Sequence, residues 1–239
     1  RERRLQGLKV KCQEVIRDQI LRALSERFEA SLGTEDWSLT VDDEDPDRQT
    51  ILFTFPNAIS DGFAGYVGPV VKIELGARSD HWPVQQAAVS PYLHEVLPDA
   101  LHEPNFEVRA LAAERTFWEK ATILHTLYHW PEAKTFPVRM SRHYYDVYML
   151  LASSIGSIAA EDEAMLIRVA EHKAIFFRSA SARYEEARRG TLRLSPPDHR
   201  QDDLRADFAA MSSMFFDPAP PLDAILAAIL AFEKRFNGN

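Results

Sequence analysis

Cysteine is almost missing from this chain. Cys12 stands alone among 239 residues, so no internal disulfide can form and a reducing cytosol suits it. Long apolar runs are missing too. The longest, within Leu222 to Phe232, is interrupted by Asp223 and is too short to span a bilayer. No secretory leader is legible at the start. Net positive charge is absent: the formal charge is −8, which argues against non-specific nucleic-acid binding through overall charge and leaves room only for a local basic patch. Neither a phosphate-binding glycine loop, a dinucleotide fingerprint nor a GxSxG elbow occurs, and no internal repeat is evident.

What is present is enough to fold. The chain is 46% hydrophobic, and a chain of this length buries roughly 70–75% of its unfolded surface. Leu5, Leu8, Cys12, Val15, Ile16, Ile20, Leu24 and Phe28 recur every three or four residues, the stripe of an amphipathic helix ending near Gly33. Strands are expected at 37–41, 50–55, 70–75, 87–96 and 106–112, with Pro91 making the fourth irregular or an edge. The acidic run Asp42, Asp43, Glu44, Asp45 and Asp47 reads as a hairpin loop; Pro46 and a missing glycine break the EF-hand pattern. A glycine-bearing loop spans 57–69. From Thr116 onward the pattern is helical, with helices over 161–178, from Pro196 to Met214, and over 222–236. The fold class is therefore α+β, a mixed sheet with helices over residues 1–113 and a helical domain over 114–239.

The chemistry-bearing residues gather around TFWEKATIL and SRHYYDVYMLL, two helices joined by a polar, proline-containing loop. Glu119 and Lys120 sit about 100° apart on their helix and face different directions. Lys120 shares its face with Phe117, Leu124 and Leu127, so its ammonium either reaches out to water or meets an anion. Arg142 and Asp146 form an i, i+4 pair with base before acid, the less favourable order. Such a pair would add only about 0.3–0.5 kcal/mol if exposed, so helix stability is a poor reason for it. Tyr144, Tyr145 and Tyr148 lie around it as hydrogen-bond donors. Lys72 and Glu74 share one face of a strand, either its solvent face or a face that offers a carboxylate to a hard metal ion. His125 and His129 have metal-ligand spacing, but Thr126 stands where a zinc-protease motif has Glu. Arg178, Arg183, Arg188, Arg189 and Arg193 are either a solvated basic segment or a confined surface for RNA.

Four motifs in order carry a family resemblance: VKIELGAR, TFWEKATIL, SRHYYDVYMLL and ADFAAMSSMFF. From about Val70 to its end the chain resembles the AbiEii-type nucleotidyltransferases, toxins of bacterial type IV toxin–antitoxin systems that include the MenT toxins. The resemblance implies a nucleotidyltransferase-like fold and transfer of a nucleotide from an NTP, with Mg2+, to a hydroxyl of RNA (such as tRNA) or protein. It also implies a cognate antitoxin and a cytoplasmic protein with no membrane partner. Carried over by position, Lys120 would hold the nucleotide phosphates and Asp146 would orient the reacting groups. Glu74 would be the sheet carboxylate near the metal, with Lys72 and Arg142 supporting phosphate charge.

One departure is plain. The family's Gly-Gly-Thr/Ser turn with its following Asp-x-Asp pair is not found: Gly33-Thr34 follows a helix, and Asp43-Glu44-Asp45 sits in an acidic turn. Since Arg1 is not Met, the chain is expected to be a fragment whose missing motif lies upstream. The competing functional class is a non-catalytic binding module of a toxin–antitoxin complex.

Overall fold

The computed structural model describes residues 2–56, 68–100, 105–215 and 217–238. Residues 57–67 of the expected glycine-bearing loop lie outside them. The chain forms two compact units, residues 1–79 with 210–218, and residues 80–209 with 219–239. The expected division at 113/114 falls later in the chain than this one, and the second hairpin lies with the helices.

In the first unit the long apolar stripe forms α1 (Glu2–Val15) and α2 (Leu21–Leu32), joined by a π-helical turn at Ile16–Ile20. The amide of Leu21 bonds to the carbonyl of Ile16, one residue wider than an α-turn. Gly33 ends α2 at φ 80°, where its missing Cβ relieves a left-handed backbone, and its N–H bonds to Glu29 O. Strands β1 (Ser38–Val41), β2 (Thr50–Thr54) and β3 (Val70–Glu74) form an antiparallel sheet in that order. Its central row sets Ile51 between Val41 and Ile73, and Ile51 is fully buried. Phe28 packs edge-on against Trp37 and Phe53, fixing α2 on the sheet.

The acidic loop between β1 and β2 is satisfied internally. Asp42 accepts from the amide of Glu44, and Asp45 accepts from the amides of Asp47 and Gln49 and from the Thr50 hydroxyl. Asp47 takes ion pairs from Lys9 and Arg78. These bonds are those of a hairpin turn, with the side chains closing their own backbone.

The second unit opens on β4 (Val84–Val89) and β5 (Phe106–Leu111), an antiparallel pair in register from Val84–Leu111 to Val89–Phe106. Residues 92–96, expected to continue the fourth strand, instead form a single helical turn, α3 (Tyr92–Val96), after Pro91. Proline has no N–H for a ladder and is at home just before a helix, so the strand ends there. Every described strand pair is antiparallel, and a mixed sheet would need a parallel one.

Among the described residues, six further α-helices complete the unit: α4 (Ala113–Tyr128), α5 (Ser141–Ala152), α6 (Ile155–Glu161), α7 (Glu163–Phe176), α8 (Gln201–Ala210, ending at the unit boundary) and α9 (Leu222–Asn237). Phe117, Trp118, Ala121 and Leu124 of α4 are fully buried against Val147, Leu166, Val169, Ile225, Ile229 and Phe232. Trp118, Phe117, Phe232 and Phe236 meet ring to ring at 4.9–6.3 Å. α4 is thus the axis of the bundle. Among the described residues, no helix is long and apolar enough to cross a membrane.

Among the described glycines, Gly156 leaves the least room for a side chain. A Cβ there would lie 2.8 Å from Leu151 Cδ2 and 2.9 Å from its Cα. Backbone cannot yield as a side chain does, so Gly156→Ala should destabilise the protein by about 1–3 kcal/mol in chemical denaturation. An unchanged midpoint would show that α6 is free to move away.

Candidate functional site

The rotation of α4 is fixed by charges. Arg115 is completely buried and forms ion pairs with Glu119, one turn on, at 2.9 Å and with Asp80 at 2.8 Å. It also donates to the carbonyl of Trp82. Lys173 of α7, itself buried, donates to the Glu119 backbone carbonyl at 2.7 Å and to its carboxylate at 3.1 Å. Arg168, earlier in α7, bonds Asp80 through two nitrogens and lies over the Trp82 ring at 4.5 Å. The hydrogen bond from Arg168, then Arg115, hold the Asp80 carboxyl well below the usual range despite its partial burial. Burial pushes the Lys173 ammonium down from its ordinary value, against the pull of Glu119.

With Glu119 turned into this network, Lys120 faces α5. Its Nζ meets Asp146 Oδ2 at 2.8 Å and lies 3.4 Å from His143 Nδ1. The pair is partly open, with side chains 28% and 38% exposed, so solvent or a ligand can reach it. His143 is buried, and its pKa falls to about 4, first through burial and then through the Lys120 charge. It is neutral at pH 7 and can accept through Nδ1. Arg142 is exposed one turn before Asp146. The expected Arg142–Asp146 ion pair does not form, because Asp146 takes Lys120 instead. Tyr144, expected as a donor beside the site, is buried, and its hydroxyl has no hydrogen-bond partner in the structure.

Two remote side chains set the position of α5, and a third holds the segment at 194–195. Asp207 of α8 accepts the amides of Arg139 and Ser141, capping α5 at its start. That gives the Asp of the ADFAAMSSMFF motif a structural task. Arg200 is buried and donates to the carbonyls of Pro131, Glu132 and Lys134, holding the loop between α4 and α5. Glu233 of α9 accepts the amides of Leu194 and Ser195.

The other sequence candidates fall as follows. Lys72 and Glu74 are exposed on β3, in the first unit, and Lys72 pairs with Asp42 at 3.1 Å. His125 uses both ring nitrogens on backbone: Nδ1 accepts from Arg193 N–H, and Nε2 donates to Arg183 O. No lone pair is left for a metal. The basic segment is largely tied down, with Arg189 on Glu163, Ala160 O and Phe236 O, and Arg193 on Glu233. Sequence reading missed Arg115, Asp80, Arg168, Lys173 and His143. The one visible hint was the i, i+4 spacing of Arg115 and Glu119.

An α+β chain that presents a lysine beside a carboxylate at a partly open place between two helices has a cation that an anionic ligand can reach. The family can be stated more narrowly. Residues 7–228 match the family model described as Nucleotidyl transferase AbiEii toxin, Type IV TA system, and the chain belongs to that family. No curated protein matches the sequence, and no solved structure matches it.

The buried imidazole has a measurable consequence. The folded pKa of His143, about 4, lies below its ordinary 6.5. From pH 6.5 downward the unfolded chain binds a proton that the native chain refuses, so stability falls toward pH 4 and levels off below. The loss should reach about 3 kcal/mol. His129, also lowered to about 4 by burial, adds in the same direction. Urea midpoints between pH 7 and 4.5 read this slope, and His143→Asn should flatten part of it. Identical slopes in the two chains would contradict the burial of a neutral imidazole.

Proposed function

We propose that this protein transfers a nucleotide from an NTP, delivered with Mg2+, to a hydroxyl of RNA, such as tRNA, or of a protein. In this reading it is the toxin partner of a cognate antitoxin and works in the cytosol. The observation that supports this most is the Lys120–Asp146 pair, held partly open beside Arg142.

The chemistry follows from counting donors. An ammonium has three N–H groups. One is taken by Asp146 Oδ2 and one is within reach of His143 Nδ1, which leaves the third for a phosphate oxygen. Phosphoryl-group transfer asks chiefly for positioning and for cations where charge spreads in the transition state. Lys120 supplies such a cation on a short leash, and Arg142 offers a second, exposed one. Asp146 keeps Oδ1 free to accept from, and so orient, the attacking hydroxyl.

Among the described residues, no group of three or more His, Cys, Asp or Glu forms a cage for a resident metal. Mg2+ needs less than a cage, because it retains waters and takes one or two carboxylates with the substrate's phosphates. It therefore enters as Mg·NTP, and its contribution is to neutralise phosphate charge. By the family resemblance, Glu74, exposed on β3 of the first unit, is the metal carboxylate and Lys72 supports phosphate charge.

The test is label transfer from radioactive NTPs to total RNA and protein by the full-length gene product with Mg2+. Lys120→Ala and Asp146→Ala should each lower the rate by about 100-fold or more while the chain stays folded. Wild-type rates in both variants would remove the reading. A wild-type protein with no transfer, and no thermal shift with Mg·NTP, would favour a binding module instead. A bound ligand at 100 times its Kd adds about 2.7 kcal/mol, which a melting curve resolves.

A further inference from the structure

Lys120 is a long side chain at the edge of a bundle, and a single ion pair does not fix such a chain. Lysine carries about 2 kcal/mol of rotamer entropy, and a half-exposed ion pair offsets only part of that. A second contact is present. His143 stands in the first turn of α5, one turn before Asp146, with Nδ1 3.4 Å from Lys120 Nζ. The two acceptors therefore flank the ammonium from one helix face, three residues apart.

The imidazole's surroundings keep the ring neutral, and an ammonium, which can only donate, beside Nδ1 favours the tautomer in which Nδ1 accepts. Four charged groups act on it: Lys120 from α4, Lys173 from α7, and Arg142 and Asp146 from α5 itself. Three are cations, and the N-terminal end of α5 also disfavours a positive ring. Arg115, Glu119 and Lys173 stop α4 from turning, and Asp207 stops α5 from fraying. Both helices that carry the contact are thus held.

Resting on the nucleotide-transfer reading above, we infer that His143 is a positioning residue: its unprotonated Nδ1, together with Asp146, clamps the Lys120 ammonium so that the third N–H is aimed at a substrate phosphate. His143 touches no substrate in this role and moves no proton.

Two substitutions separate positioning from packing. His143→Asn places an amide oxygen near the Nδ1 position and keeps an acceptor. His143→Leu fills similar space with none. In the full-length protein, His143→Leu should lower kcat for transfer about tenfold or more with KM for NTP moved much less, and His143→Asn should stay within about threefold of wild type. Acylation of Lys120 by a succinimidyl ester, read by mass spectrometry, should speed up in the Leu variant and not in the Asn variant. Equal kcat in wild type and His143→Leu overturns the inference, and so does equal Lys120 labelling in all three chains. Should the wild type transfer no nucleotide, the parent reading falls. The labelling then still reports whether His143 holds Lys120.

Discussion

Burying a guanidinium and an ammonium against one carboxylate is the constraint from which the site follows. Arg115 and Lys173 have given up water on two helices, and both need Glu119. Turned away, Glu119 would leave Lys173 without a carboxylate and Arg115 with Asp80 alone, and a buried cation without its partner costs several kcal/mol, so Glu119 is held in place. Since α4 advances 100° per residue, fixing residue 119 also fixes the direction of residue 120. Lys120 is then left to face α5, where Asp146 meets it. The network is better described as an alignment device than as a source of net stability, because buried ion pairs often do little more than offset their desolvation.

Alignment recurs along the chain by a common means: a charged side chain, buried at Arg200 and Glu233 and half-buried at Asp207, collects backbone groups from a distant segment. Arg200 gathers three carbonyls of the loop before α5, Asp207 takes two amides at its first turn, and Glu233 takes two amides of the segment at 194–195. Each bond of this kind is charge-assisted and stronger than a neutral one. Irregular segments are held to the helices in this way, and the Lys120–Asp146 pair inherits their order.

How much of this could be read from the residues differs by element. The apolar period of three to four gave the α1–α2 stretch as one helix ending near Gly33, placed helices where α4 and α5 stand, and gave α9 close to its limits, because one-sided burial imposes that period. The π-turn at 16–20 left no trace in it, since Ile16 and Ile20 stay on the stripe. Residues 92–96 misled because an apolar run of strand length after Pro91 also suits one turn of helix. At the site, local spacing suggested Arg142–Asp146, yet Asp146 bonds Lys120, 26 residues back by number. The pairs Asp80–Arg115 and Glu119–Lys173 join residues 35 and 54 apart, and no pattern in a single sequence links them. His143 was hidden inside a motif prized for its neighbours.

A structure of the full-length protein with Mg2+ and a non-hydrolysable NTP tests the central claim most directly. The account predicts a phosphate oxygen within about 3 Å of Lys120 Nζ, hydrogen-bond distance, with Asp146 and His143 still flanking the ammonium. A nucleotide bound elsewhere, with Lys120 and Asp146 closed on each other and untouched by it, would contradict the account.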